Sequence, residues 1–126
     1  MGGCTFQTEE FGSTPKSAYL RAVEQAYYDH GHDPYNGTIS TTRGFDFVEL
    51  GEDEDPFVYA KEHYNDYDKW DSCGCVELTE KFLRRVSLGI PGDPHREQVH
   101  YACYLLSVLK EHPGRRCFLF FGWAAT

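Results

Sequence analysis

Long hydrophobic runs and an excess of basic residues are both missing from this sequence of 126 residues. No apolar run approaches the roughly 20 residues that a membrane-spanning helix needs. The first ten residues, MGGCTFQTEE, carry neither a basic nor an apolar segment, so we expect no signal peptide, no membrane partner and a cytoplasmic location. Lysine and arginine number 12 against 20 acidic residues, a net charge of −8. Direct binding to nucleic acid is therefore not expected, because it requires a basic face.

A disulfide framework and a recognisable catalytic motif are missing as well. The five cysteines are an odd number, which argues against paired disulfides. Cys103 and Cys117 lie in apolar runs, as small core residues do. A cysteine–histidine pair for nucleophilic catalysis could combine Cys73 or Cys75 with His30, His32 or His63. A nucleophilic thiol needs a positive neighbour, whereas the sequence around Cys73 is acidic, so we expect no catalytic residue and no cofactor.

Apolar material is sufficient for one packed core, since 40% of the residues are hydrophobic and 16% are aromatic. We expect a single globular domain over residues 1–126. Proline just after a capping residue predicts three helix starts, at Ser13-Thr14-Pro15, Asp55-Pro56 and Asp93-Pro94. The first helix should end at Gly31, and the last one at His112-Pro113-Gly114.

Strand-like runs separate these helices. Apolar or β-branched residues predict strands over 5–11, 37–42, 45–50, 75–79 and 117–123. The last run is apolar throughout, which is typical of a central strand buried on both faces. Residues 80–88 fit either a helix or a strand. The pattern predicts an α+β fold, a compact two-layer sandwich of about three helices on a four- or five-stranded, mainly antiparallel sheet.

Negative charge is concentrated in the middle of the chain. Residues 46–77 hold eleven acidic residues against two lysines, while residues 80–117 hold four acidic residues against seven basic ones. Aromatic side chains alternate with these carboxylates, which is typical of a surface that binds a basic partner. The predicted partner-binding residues are Glu52, Asp53, Glu54, Asp55, Tyr64, Asp66, Tyr67, Asp68, Trp70 and Asp71. A solvated acidic loop and helix face is the simpler interpretation, and a calcium site is disfavoured because the spacing is not that of an EF-hand.

A second candidate site surrounds two histidines, in the segment Asp29-His-Gly-His-Asp-Pro-Tyr35. The alternative ligand-binding residues are His30, His32, Tyr35, Asn36 and Thr38. Imidazole nitrogens suit zinc, and a weak metal alternative combines His30, His32 and Cys75. However, a histidine in the last turn of a helix also favours the helix dipole, and the alternation of Thr38, Ser40 and Thr42 is typical of an exposed strand. We therefore expect no metal site.

Basic residues cluster after residue 80, at Arg84-Arg85, Arg96 and Arg115-Arg116. They could contact the acidic segment of a second copy and form a homodimer. Scattered surface arginines are the simpler interpretation.

Three blocks of sequence resemble those of a known group of proteins. They are His30-Gly-His-Asp-Pro-Tyr-Asn-Gly-Thr-Ile39, Asp68-Lys-Trp-Asp-Ser-Cys-Gly-Cys-Val-Glu-Leu78 and Phe118-Leu-Phe-Phe-Gly-Trp-Ala-Ala125. In this pattern the chain resembles small uncharacterised proteins encoded by bacteria, phages and plasmids, with Asp71 where the family pattern has glycine. Residues 80–116 look like an insertion relative to it. The resemblance implies an accessory protein of a mobile element and no particular activity.

Together these features predict a non-enzymatic acidic binding protein. It would inhibit a nucleic-acid-binding or defence protein of the host by occupying a basic surface. The alternative is a protein that binds a small molecule or a metal around His30, His32 and residues 35–38.

Overall fold

A computed structural model describes residues 2–31, 36–68, 70–89, 91–93 and 95–126. The four strands are β1 (Gly3–Gly12), β2 (Phe45–Phe47), β3 (Cys73–Glu77) and β4 (Arg116–Ala125). The four α-helices are α1 (Pro15–His30), α2 (Pro56–His63), α3 (Glu80–Ser87) and α4 (Val99–Glu111). Short 3-10 helices lie at Ile39–Thr41, Tyr64–Asp66 and Arg96–Gln98. No helix of these described ranges is both long and apolar enough to cross a membrane.

The four strands form one mixed sheet in the order β1-β4-β3-β2. Strands β1 and β4 pair antiparallel over their full length, from Gly3 opposite Ala125 to Gly12 opposite Arg116. Strand β3 also pairs antiparallel with β4, whereas β2 pairs parallel with β3. The predicted α+β class and the mainly antiparallel four-stranded sheet are confirmed.

Strand β4 lies at the centre of the molecule, and helices cover both faces of the sheet. Every residue of 117–121 is fully buried. Phe118 and Phe120 pack with the alanines of α1 on one face, while Leu119 and Phe121 pack with α2, α3 and α4 on the other. The structure therefore has three layers rather than the predicted two. Helices cover both faces of the sheet because β4 has no polar face that could stay in water.

Two helix starts follow the predicted capping chemistry. The Thr14 hydroxyl accepts a hydrogen bond from the Ser17 amide, Pro15 occupies the first turn, and Gly31 ends α1 with a φ of 76°. The Asp55 carboxylate accepts hydrogen bonds from the Phe57 and Val58 amides at the start of α2. The last helix begins at Val99, later than predicted, because a 3-10 turn over Arg96–Gln98 precedes it; Pro94, where the sequence predicted the helix start, lies outside the described residues.

The strand predicted over residues 37–42 is wrong. Residues Ile39–Thr41 form a 3-10 helix, and the Thr41 and Thr42 hydroxyls donate to the Thr38 and Ile39 carbonyls. Hydroxyl groups that bond the nearby backbone in this way compete with strand pairing. Strand β2 is also shorter than the predicted 45–50, and β3 begins two residues earlier than predicted.

The ambiguous segment 80–88 is a helix. The Thr79 hydroxyl caps α3 by accepting from the Phe82 amide, and Leu83 and Val86 are buried against the sheet. Helices α3 and α4 supply much of one core face, although the interpretation of 80–116 as an insertion stays a prediction.

Candidate functional site

The acidic residues of segment 46–77 form two groups at opposite ends of the β2–β3 pair, because these two strands run parallel. Phe45 lies opposite Cys73, and Phe47 lies opposite Cys75. The acidic loop after β2 (residues 48–54) therefore lies at the carboxyl end of this strand pair, whereas the loop before β3 (residues 64–72) lies at its amino end. At about 3.3 Å per residue, the five residues of β3 put roughly 15 Å between the two ends.

The acidic groove lies at the carboxyl end of β2 and β3. Its volume is about 260 Å³, and its apolar side chains are Phe47, Val48, Leu50, Pro56 and Phe82. Four carboxylates and one cation also line it, from Glu49, Glu52, Glu54, Glu77 and Lys81. Asp53 lies beside it and is exposed. An apolar floor with a carboxylate rim suits a cationic segment that also carries apolar groups.

Two of the four groove carboxylates form salt bridges within the chain. Lys81 Nζ lies 3.1 Å from Glu52 Oε2, and the Arg116 guanidinium donates two hydrogen bonds to Glu77, at 2.8 and 3.3 Å. Glu49 and Glu54 are exposed and form no salt bridge with a described residue. Glu49 and Glu54 are therefore the groove carboxylates available to a partner.

Asp55 has an internal role. One oxygen caps α2, while the other lies 2.6 Å from Nε2 of His95 and 3.4 Å from Arg85. His95 is buried between the rings of Phe57 and Phe82. Both carboxylate oxygens of Asp55 therefore have partners within the chain, and Asp55 is not part of the partner-binding surface that we propose.

Tyr64 and Tyr67 pack partly into the core. Both rings lie edge-on to Phe121, with centroid distances of 6.2 and 5.7 Å. Burial, with a smaller contribution from the Asp46 carboxylate, raises the pKa of Tyr67 to about 12. Only the outer part of each ring can contact a partner. Asp66 is exposed and lies 2.7 Å from His63 Nδ1.

The tryptophan cleft lies at the amino end of the β2–β3 pair. It is lined by Gly3, Asn65, Asp68, Trp70 and Trp123, and its volume is about 530 Å³. Trp123 Nε1 donates a hydrogen bond of 3.2 Å to Asn65 Oδ1. Asp71 is exposed nearby in sequence but does not line the cleft. Asp68 and Trp70 were predicted from the sequence, whereas Asn65 and Trp123 were missed. Trp123 was missed because residues 117–123 form an uninterrupted apolar run, which is typical of a buried strand.

The second candidate site is only partly described. His30 is exposed at the end of α1, and it lines a pocket of about 210 Å³ together with Asp29 and Thr38. The Asn36 side chain bonds both Thr38 and Ser40, so these polar groups satisfy one another. His32 and Tyr35 lie outside the described residues. Within those residues no group of three or more histidine, cysteine or acidic side chains could hold a metal ion, and Cys75 is fully buried.

Three of the five arginines that the sequence predicted as a contact for a second copy form salt bridges within the chain. Arg84, Arg85 and Arg116 pair with Glu80, Asp55 and Glu77 respectively. Arg96 and Arg115 are exposed. The homodimer through these residues stays a prediction.

The cysteines divide into buried and accessible thiols. Cys73, Cys75 and Cys117 are buried, and burial raises the pKa of Cys73 to about 12 and the pKa values of Cys75 and Cys117 further. These thiols stay protonated near neutral pH and are poor nucleophiles. Cys103 is exposed on α4, so its assignment to the core was wrong.

We expect Cys103 to react with a thiol reagent in the folded protein at pH 8, and Cys4, which is partly exposed, to react more slowly. The three buried thiols should react only after unfolding. Counting modified cysteines by mass spectrometry, with Cys103→Ser as the control, checks this order. Early modification of Cys73 in the folded chain would contradict the described burial.

No family model, curated protein or solved structure matches the chain.

Proposed function

We propose that this chain is a non-enzymatic, cytoplasmic binding protein whose acidic groove holds a basic surface of a partner protein. The composition of the groove carries the proposal. Glu49, Glu52, Glu54 and Glu77 surround an apolar floor, and Lys81 is the one cation among the lining residues. A partner cation would gain from the unpaired carboxylates of Glu49 and Glu54, while apolar atoms of the same segment would cover the floor.

The same charge narrows the class of partner. Residues 46–77 hold eleven acidic residues against two lysines, so they repel the phosphates of a nucleic acid and attract the protein surfaces that bind phosphates. A nucleic-acid-binding protein is therefore the class we propose as partner. The resemblance to small proteins of phages and plasmids supports a host defence component within that class, with inhibition as the outcome.

A comparison of two charge-matched variants tests this proposal. Glu49→Gln/Glu54→Gln removes the two unpaired groove carboxylates, and Glu97→Gln/Glu111→Gln removes two exposed carboxylates elsewhere. We expect the groove variant to bind the partner about fivefold more weakly, at up to about 0.5 kcal/mol per exposed charge, and the control to bind nearly as the wild type does.

The measurement is an affinity capture from bacterial lysate with each variant as bait, followed by quantitative mass spectrometry. The supporting result is one stoichiometric, basic, nucleic-acid-binding protein that the groove variant loses preferentially. Equal capture by wild type and groove variant, or a captured protein that is acidic, would contradict the proposal.

A further inference from the structure

Both tryptophans of the chain line one open cleft. The protein contains only two tryptophans, and Trp70 and Trp123 both lie in the tryptophan cleft, with Asp68 and Asn65 beside them. They come from distant parts of the sequence, the loop before β3 and the end of β4. The hydrogen bond from Trp123 Nε1 to Asn65 Oδ1 fixes the position of the Trp123 ring. Both rings are partly exposed.

The backbone of Trp70 is unusual. Its φ is 73°, the one positive value among the described non-glycine residues. A bulky residue in this region costs free energy that the surrounding structure must supply. The chain therefore keeps a large aromatic ring at a position where glycine would be the less strained residue.

The chemistry of the lining selects the ligand. Tryptophan faces attract cations more strongly than other aromatic rings do, and a carboxylate next to them completes a site for a positive group. Asp68 is exposed and forms no salt bridge with a described residue. A planar guanidinium can stack on an indole and bond a carboxylate with two donors at once, whereas an ammonium group is a compact, strongly hydrated charge.

We infer that the tryptophan cleft binds an arginine side chain of the partner. This inference rests on the proposed function, because it supplies a second contact for the same basic surface. The acidic groove and the tryptophan cleft lie at opposite ends of β3, a strand of five residues that is roughly 15 Å long at about 3.3 Å per residue. In this arrangement the partner places an arginine in the cleft at one end of β3 and further cations in the groove at the other end.

Hexa-arginine and hexa-lysine peptides test the inference, because they carry equal charge and differ in the group offered to the cleft. We expect hexa-arginine to bind about fivefold more tightly and to change the tryptophan emission, since both fluorophores line the cleft. Trp70→Ala should reduce the affinity for hexa-arginine to that for hexa-lysine. Circular dichroism of each variant establishes that it is folded.

A second pair of variants keeps the test decisive if Trp70→Ala does not fold. Asp68→Asn and Asp71→Asn each remove one exposed charge, but only Asp68 lines the cleft. We expect Asp68→Asn to weaken hexa-arginine binding severalfold more than Asp71→Asn does. Equal effects, equal affinity for the two peptides, unchanged emission or no binding of either peptide would each overturn the inference. None of these results decides the proposed function, whose capture experiment changes only groove residues.

Discussion

We expect Asp55→Ala to lower the free energy of unfolding by about 3 kcal/mol. The carboxylate caps α2 through the Phe57 and Val58 amides, and loss of such a cap costs about 1 kcal/mol. Its other oxygen is the hydrogen-bonding partner of the buried His95 ring, at 2.6 Å. A buried polar group left without its partner costs a further 1–3 kcal/mol, approximately. Urea unfolding followed by circular dichroism measures the change.

Two variants, Asp53→Ala and Asp55→Asn, provide the controls for this prediction. Asp53 is exposed and lies two residues earlier, so Asp53→Ala should change stability by less than about 0.5 kcal/mol. Asp55→Asn retains an oxygen that can cap the helix and should cost less than Asp55→Ala. If Asp55→Ala is as stable as Asp53→Ala, the link between α2 and His95 does not support the fold. Asp55 variants are therefore unsuitable for tests of partner binding, because a partly unfolded variant would also bind the partner more weakly.

We expect Gly74→Ala to destabilise the protein by about 3 kcal/mol. Gly74 lies opposite Phe121 in the β3–β4 pair. A Cβ at this position would lie 2.6 and 2.8 Å from Cε2 and Cε1 of the Phe121 ring, and closer still to Cζ. The ring cannot move away freely, because the rings of Tyr59 and Tyr67 pack against it in a T-shaped arrangement. Overpacking in a core of this kind typically costs 1–3 kcal/mol, approximately.

Thermal unfolding of four variants separates this clash from a general effect of alanine. Gly51→Ala is the matched control, because Gly51 is exposed and its nearest neighbour to an added Cβ is Glu54 Cγ at 3.9 Å. Phe121→Leu shortens the side chain, so Gly74→Ala should cost much less in that background. Equal costs of Gly74→Ala in both backgrounds would show that Phe121 is not the cause.

The helix caps and the buried central strand could be predicted from the sequence. Thr14-Pro15 and Asp55-Pro56 define helix starts within one turn, and Gly31 ends α1, because caps involve only neighbouring residues. The central position of β4 could also be predicted, since an uninterrupted apolar run has no face to leave in water.

The parts that depend on pairing or on competing local bonds could not be predicted. Residues 37–42 have a strand-like composition, but their hydroxyl groups bond the adjacent backbone and form a 3-10 helix. The parallel pairing of β2 with β3 depends on contacts between distant segments, and it places the two acidic groups at opposite ends of the strands.

The candidate site shows the same division. The local excess of acidic residues is visible in the sequence, but the residues that neutralise Glu52 and Glu77 come from α3 and β4. For the same reason the hydrogen bond between Asp55 and His95, 40 residues apart, and the presence of Trp70 and Trp123 in one cleft could not be predicted from the sequence. Charge counts therefore locate the acidic region at residues 46–77, whereas the fold shows which of its carboxylates form salt bridges within the chain.

The dependence of affinity on salt tests the central claim most directly. The measurement is the dissociation constant between this chain and its captured basic partner from about 50 mM to about 500 mM NaCl, where screening shortens from roughly 14 to 4 Å. We predict that affinity falls steadily with salt and that Glu49→Gln/Glu54→Gln makes this decrease shallower. An affinity that stays constant or increases with salt, or a groove variant with the slope of the wild type, would contradict binding through the acidic groove.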